Sequence, residues 1–145
     1  MKKIIIMILL VAGINLTMLA DSYSRDLNVL PKAAQTTIAN NFKAKVNLIK
    51  IDKTLGIIRE YEVILTDGSE ITFDNNGNWK DVEVGKGKTV PSGFILKNIS
   101  DYVRKNHPKT KIVGIERDKN NFEIELSDGI NIIFSATGSF IKYEK

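Results

Sequence analysis

Two pairs of glutamates are the residues of this sequence that most resemble a catalytic set. Glu60 and Glu62 lie two positions apart, and Glu123 and Glu125 repeat the spacing. Paired carboxylates carry out acid–base and nucleophilic chemistry in glycosidases. Both pairs alternate with apolar residues, however, and side chains two apart on a β-strand share one side of it. We therefore interpret them as solvated strand glutamates and predict no catalytic residue.

The segment DNNGN, residues 74–78, is a candidate calcium loop. Asp74, Asn76 and Asn78 alternate as the first ligands of an EF-hand loop do. That loop also needs Gly at its sixth position and Glu at its twelfth, where this chain has Trp79 and Gly85. Asp, Asn and Gly are equally the residues of tight turns. We favour a hairpin turn, and we expect neither a metal ion nor a cofactor.

His107 is the only histidine, and it directly precedes Pro108. The residue before a proline is disfavoured in the helical region, so His107 is expected to end a helix. No Ser-His-Asp set can be assembled around it. The chain has no cysteine, which excludes disulfides, thiolate metal sites and a cysteine nucleophile. These observations favour a protein that is not an enzyme.

The first twenty residues are typical of a secretory signal peptide. A basic start, MKK, precedes the apolar run IIIMILLVAGINL and the segment TMLA. The run is too short to span a bilayer, which takes about 20 apolar residues. We predict cleavage after Ala20, a periplasmic or secreted location and no stable membrane insertion afterwards.

Charge argues against nucleic acid as a partner. Loss of Lys2 and Lys3 would reduce the 21 Lys and Arg to 21 − 2 = 19, against 17 Asp and Glu, a net charge of +2. Nucleic-acid binding favours a basic stripe with interleaved aromatic residues. Here Lys and Glu alternate along the predicted strands, so we predict no nucleic-acid partner.

The elements that position these residues occur twice. YEVILTDGSEITFDNNGNW at 61–79 and FEIELSDGINIIFSATGSF at 122–140 share alternating apolar residues, an Asp-Gly turn and a later glycine. Alternation predicts strands with one buried face, and Asp-Gly predicts a hairpin. Each copy therefore predicts a three-stranded meander, with Trp79 and Phe140 as core residues.

A helix and a further strand are predicted before each meander. The helices are entered through prolines, at 30–42 and 90–108, and the strands lie at 46–51 and 110–116. The prediction is an α+β fold of two tandem α-β-β-β-β repeats, with helices on one face. Its segments are a signal peptide at 1–20, a first repeat at 21–84, a linker at 85–93 and a second repeat at 94–145, the repeats forming one compact unit.

These motifs resemble the PepSY-like family of small secreted bacterial proteins, described as beta-lactamase-inhibitor-like. The resemblance runs from about Leu30 to Tyr143 and is most specific over Asp67–Trp79 and its echo Asp128–Phe140. It implies two antiparallel sheets joined edge to edge, helices behind them and an open sheet face that grips a partner protein. FSATG in the second copy departs from FDNNG in the first.

Alternation also predicts which residues occupy that open face. Apolar side chains rimmed by charge can mark an interaction surface. The first meander places Glu60 and Val82 there, and across both we predict a partner-binding set of Glu62, Ile64, Thr72, Lys80, Glu123, Glu125, Ile133, Ile141 and Tyr143.

Our first hypothesis is an exported, non-catalytic module that binds another protein or peptide through this face, such as an enzyme that it inhibits. The alternative is an envelope structural or sensory module that binds cell-wall peptides or regulates a peptidase. An enzyme of an unrecognised type is the third hypothesis. An enzyme would have a concave pocket with convergent polar groups.

Overall fold

The computed structural model describes residues 21–144. The predicted signal peptide and its cleavage site lie outside these residues. The helices are α1 (Lys32–Asn41) and α2 (Lys97–Asn106), with short 3-10 turns at Leu27–Val29 and Ser92–Phe94. The strands are β1 (Ser22–Ser24), β2 (Val46–Thr54), β3 (Ile57–Leu65), β4 (Glu70–Asp74), β5 (Trp79–Glu83), β6 (Ile112–Arg117), β7 (Asn121–Leu126), β8 (Asn131–Ser135) and β9 (Phe140–Glu144).

The strands form one antiparallel sheet in which every strand pairs with its neighbours in the chain. β5 pairs with β6 through Asp81 opposite Glu116 and Val82 opposite Ile115. This pairing joins the strands after α1 to the strands after α2. The predicted α+β class and antiparallel sheet are confirmed, whereas the division into repeats and linker stays a prediction.

One face of the sheet forms the core with the helices. A row of apolar residues crosses seven adjacent strands in direct register, and each is at most 1% exposed. Ala34 and Ile38 of α1 and Ile99 and Val103 of α2 belong to the same buried cluster. Burial of such side chains contributes about 1.5–3 kcal/mol each. The row is Ile49, Val63, Ile71, Val82, Ile115, Ile124 and Ile132.

Two hairpin turns fix the helices against this face. A Cβ at Gly77 would lie 2.8 Å from Pro31 Cβ and 3.0 Å from the Ala34 nitrogen, so the β4–β5 turn packs directly on α1. At the β8–β9 turn the Asn98 amide nitrogen donates to the carbonyl of Thr137 over 2.8 Å.

In the described part of the chain, no helix has the length and apolarity needed to cross a membrane.

The helix boundaries differ from the prediction at one proline. α1 begins directly after Pro31, whereas α2 begins at Lys97, after Leu96. Pro91 precedes the 3-10 turn at Ser92–Phe94 instead. The two prolines therefore do not occupy equivalent positions.

Strand β1 was not predicted, because its three residues are too few to show an alternating pattern. It forms by pairing with β2, where Tyr23 lies opposite Lys50.

Bulges in β5 and β9 correct two predicted orientations. Phe73 lies opposite Trp79 but Thr72 lies opposite Asp81, so Lys80 is an extra residue in β5. Ile141 is the extra residue in β9, between Phe140 and Lys142. An extra residue shifts the alternation by one.

The shift moves Val82 and Tyr143 off the open face. Val82 is fully buried on the helix side, and Tyr143 lies opposite buried Ile132. Phe140, predicted as core, faces α2 beside Phe134 but is 40% exposed because β9 is the edge strand. Trp79 packs against the core, with its ring centroid 5.2 Å from that of Phe94.

Candidate functional site

The candidate site is the sheet face opposite the helices, which we call the open face. No helix within residues 21–144 packs on it, because α1 and α2 both join the cluster on the other side. Its first row crosses all nine strands in direct register. The row is Tyr23, Lys50, Glu62, Thr72, Asp81, Glu116, Glu123, Ile133 and Lys142.

A second row runs beside it from β2 to β9. Cross-strand neighbours in such rows have Cβ atoms about 5 Å apart. Gly114 lies within the row, and a Cβ there would come 3.2 Å from Glu125 Oε2, so this glutamate lies across the glycine. The second row is Leu48, Ile64, Glu70, Glu83, Gly114, Glu125, Asn131 and Glu144.

The register unites most of the predicted site residues. Glu62, Thr72, Glu123 and Ile133 share the first row, and Ile64 and Glu125 share the second. Lys80 reaches the same face from its bulge and donates to Glu60 Oε2 over 2.9 Å. Ile141 is the 49% exposed bulge residue of β9. The predicted orientation of Tyr143 is wrong, because this residue lies opposite buried Ile132 on the helix side.

Sequence reasoning missed several acidic residues of the open face. Asp81 takes its place there only because the bulge at Lys80 reverses the alternation of β5. Glu116 joins the row only through the pairing of β5 with β6. The available signal was the alternation of Asp81, Val82, Glu83 and Val84, which by itself places the two valines on the buried side and the two acids on the other.

Carboxylates influence one another on this face. Burial and a hydrogen bond with Glu144 raise the pKa of the Glu123 carboxyl, while the same hydrogen bond lowers the pKa of Glu144. Toward the other end, the hydrogen bond to Glu60 raises the pKa of Lys80. Lys50 forms an ion pair with Asp21 at 3.3 Å.

Tyr143 belongs to an aromatic cluster at the end of α2. Its hydroxyl lies 3.0 Å from His107 Nε2 and 3.2 Å from the Tyr102 hydroxyl. Burial, with the hydrogen bond to Tyr143, raises the pKa of Tyr102 to about 12. His107 ends α2 and its amide donates to Val103 over 2.7 Å, so its predicted capping position is confirmed.

The DNNGN segment forms the predicted turn. Asp74 Oδ1 accepts hydrogen bonds from the amides of Asn76 and Asn78, both at 2.9 Å. Although burial acts to raise the pKa of Asp74, these amide donors hold it below its usual value. Over residues 21–144, no group of three or more His, Asp or Glu side chains is arranged to hold a metal ion.

The paired glutamates lie outside the groove beside α2. A groove of about 650 Å³ lies between α2 and the start of β6, lined by Val90, Val103, Arg104, His107 and Ile112 among others. Glu60, Glu62, Glu123 and Glu125 are absent from its lining. The candidate site is therefore a broad sheet face.

Comparison with known proteins places this arrangement in a defined class. Residues 59–142 match a family model whose description reads "Putative beta-lactamase-inhibitor-like, PepSY-like". The matched span begins in β3 and ends in β9, so it includes seven of the nine strands. The chain belongs to this PepSY-like family. No curated protein matches the sequence.

Solved structures of Bacteroides proteins share the fold. A "putative calcium-regulated periplasmic protein" of Bacteroides thetaiotaomicron is 33% identical, with a TM-score of 0.79 over 86% of this chain and 97% of that one. A "putative periplasmic protein of unknown function" from Bacteroides vulgatus is 38% identical, with a TM-score of 0.80 over 87% of this chain and 100% of that one. Another from the same organism is 34% identical, with a TM-score of 0.77 over 86% and 97%.

Proposed function

We propose that this chain is an exported, non-catalytic module that binds another protein through the open face of its sheet. The observation that carries the proposal is the first row, which crosses nine strands in register with no helix of residues 21–144 over it. A broad, shallow face of this kind suits a protein partner better than a small substrate. The periplasmic description of the similar structures supports a periplasmic location after signal cleavage.

The family description supports inhibition as the consequence of binding. The description as inhibitor-like applies to the family. For this chain we propose that the bound partner is an envelope or secreted enzyme. Ile64 and Ile133, on separate parts of the face, would supply apolar contact, and the surrounding charges would supply orientation. The alternative is a structural or sensory module that binds cell-wall peptides or regulates a peptidase.

The test is capture of a partner from envelope extract by the chain beginning at Asp21. Thr72→Trp adds bulk to the centre of the open face without changing charge. Thr36→Trp makes the same change on an exposed position of α1. We expect the Thr36→Trp protein to capture the wild-type set and the Thr72→Trp protein to lose at least one member.

Identical capture by all three folded proteins would refute binding through the open face. Thermal unfolding monitored by circular dichroism serves as the control, because both threonine positions are outside the core. Inhibition is then assayed on any captured enzyme with the same three proteins.

A further inference from the structure

The β2–β3 hairpin projects beyond the rest of the sheet. β1 pairs with β2 only as far as Ile51, and β4 pairs with β3 only as far as Glu60. Past these positions the two strands pair with each other alone within the described residues. The ribbon ends in a turn at Leu55 and Gly56, about 13 Å beyond Ile51 at about 3.3 Å per residue. We call residues 54–57 the hairpin tip.

Two aliphatic side chains of the hairpin tip face solvent. Leu55 is 77% exposed and Ile57 is 56% exposed, the two highest values among the large apolar side chains of residues 21–144. A single exposed apolar residue is common on protein surfaces. Two of them at the end of a projecting ribbon form a convex apolar point, and exposed apolar clusters mark contact with another surface.

The backbone of the hairpin tip is unfavourable for a leucine. Leu55 has a φ of 52° and Gly56 one of 76°, and Leu55 is the one non-glycine residue with a positive φ in the described part of the chain. A side chain in this left-handed region costs free energy, and Asn-Gly is the preferred pair in such turns. Folding alone would therefore favour asparagine at position 55. A leucine held there indicates a role other than folding.

Basic side chains lie directly behind the hairpin tip. Lys53 comes two residues before Leu55, and Arg59 comes two residues after Ile57. The nearest acid on β3, Glu60, is one residue further from the tip and accepts a hydrogen bond from a lysine of β5. Long basic side chains behind apolar residues reach the phosphate groups of a lipid surface while the apolar residues enter it.

The start of the described chain lies at the same end of the molecule. β1 runs antiparallel to β2 with Ser22 opposite Ile51, so Asp21 is at the end of β1 that points toward the hairpin tip. Residues 1–20, the predicted signal peptide, join the chain at this point. In the precursor, an apolar segment held in a membrane would bring the hairpin tip to the surface of that membrane.

We propose that the hairpin tip docks reversibly on an anionic lipid surface. Leu55 and Ile57 enter the interface, and Lys53 and Arg59 contact headgroup phosphates. A lipid surface accepts a convex apolar point directly, whereas a protein partner must supply a matching cavity. The tip also carries no Trp or Tyr, which anchor many protein interfaces. This docking is peripheral and independent of binding through the open face.

Co-sedimentation with lipid vesicles tests the proposal on the chain beginning at Asp21. The vesicles contain phosphatidylglycerol and phosphatidylcholine in equal parts, or phosphatidylcholine alone. We expect binding to the anionic vesicles that weakens as NaCl is raised, and weaker binding to the neutral ones. The double variant L55N/I57T should bind the anionic vesicles about tenfold more weakly. Leu55→Asn alone should weaken binding while raising the unfolding temperature.

A matched double variant separates the hairpin tip from general surface apolarity. L27N/I141T makes the same two replacements at exposed positions of the first 3-10 turn and of β9. It should stay within about twofold of wild type. Equal weakening in both double variants would overturn the proposal, as would the absence of wild-type binding to the anionic vesicles.

The remaining outcomes also decide. If L55N/I57T loses a captured protein partner while the wild type binds no vesicles, the tip is a protein contact and lipid docking is refuted. Thr72→Trp, which tests the open face, should leave vesicle binding unchanged, so the two proposals can fail separately. Should L55N/I57T unfold, Leu55→Trp decides, because its fluorescence should shift to shorter wavelength on anionic vesicles. Unchanged emission would overturn the proposal.

Discussion

At the residue scale, Asp74 stabilises the β4–β5 turn through its ionised carboxylate. The amides of Asn76 and Asn78 both donate to Oδ1. We expect Asp74→Ala to lower the free energy of unfolding by about 1–2 kcal/mol at pH 7. The folded pKa is below the usual 3.8, so this stability is fully present above about pH 4 and is lost as the pH falls through the folded value.

Urea unfolding at pH 7 and near pH 3 checks this expectation, with Asn75→Ala as the control. Asn75 is the exposed neighbour in the same turn. Asp74→Ala should approach wild type at the lower pH, whereas Asn75→Ala should remain close to it throughout. A loss for Asp74→Ala that grew on acidification would contradict the role of the charged form.

Also at the residue scale, two phenylalanines that face each other across β8 and β9 should differ in their contribution to stability. Phe134 is fully buried and Phe140 is 40% exposed. We expect Phe134→Ala to cost about 3–5 kcal/mol and Phe140→Ala about 1–2 kcal/mol, measured by urea unfolding. Equal costs would mean that Phe140 belongs to the core after all, as the alternation alone predicts.

At the element scale, the contact between the β4–β5 turn and α1 requires a glycine. Gly77 and Gly129 both have a φ of 87°, but a Cβ at Gly77 meets Pro31 and Ala34 while one at Gly129 meets open space. Gly129→Ala should cost about 1–2 kcal/mol through backbone strain alone. Gly77→Ala should cost at least about 1 kcal/mol more, and equal unfolding midpoints would contradict direct packing of this turn on α1.

The β5 bulge gives a second prediction at the element scale. Val82 is fully buried, whereas Thr72 lies on the open face. Val82→Thr buries a hydroxyl and should cost about 1–3 kcal/mol, while the reverse change Thr72→Val should stay within about 0.5 kcal/mol. Chemical denaturation compares the two, and a small effect at Val82 would refute the shifted alternation.

The sequence predicts the strands of the two meanders but not the bulges within them. Alternation around Tyr61 and Phe122 is enough to predict the meanders, because each apolar residue there is paired in simple register. The same rule fails after Trp79 and Phe140, since a bulge is selected by the match between strands and not by the strand itself. Pro91 misleads in a similar way, because a proline also suits the start of a 3-10 turn.

At the scale of the whole molecule, the candidate site depends on contacts far apart in the chain. Glu62 and Glu123 are individually visible as outward strand residues, but their common row exists only because β5 pairs with β6. Asp81 and Glu116 complete the acidic centre at that junction. The composition of the whole chain, with its excess of basic residues, gives no indication that this face carries several acidic residues.

The most direct test of binding through the open face is NMR chemical-shift mapping of the labelled chain, from Asp21 onward, with its captured partner. We predict that the largest amide shifts fall on the first row, at Thr72, Asp81, Glu116, Glu123 and Ile133. Shifts confined to α2 and to the groove beside it, with this row unchanged, would contradict the account.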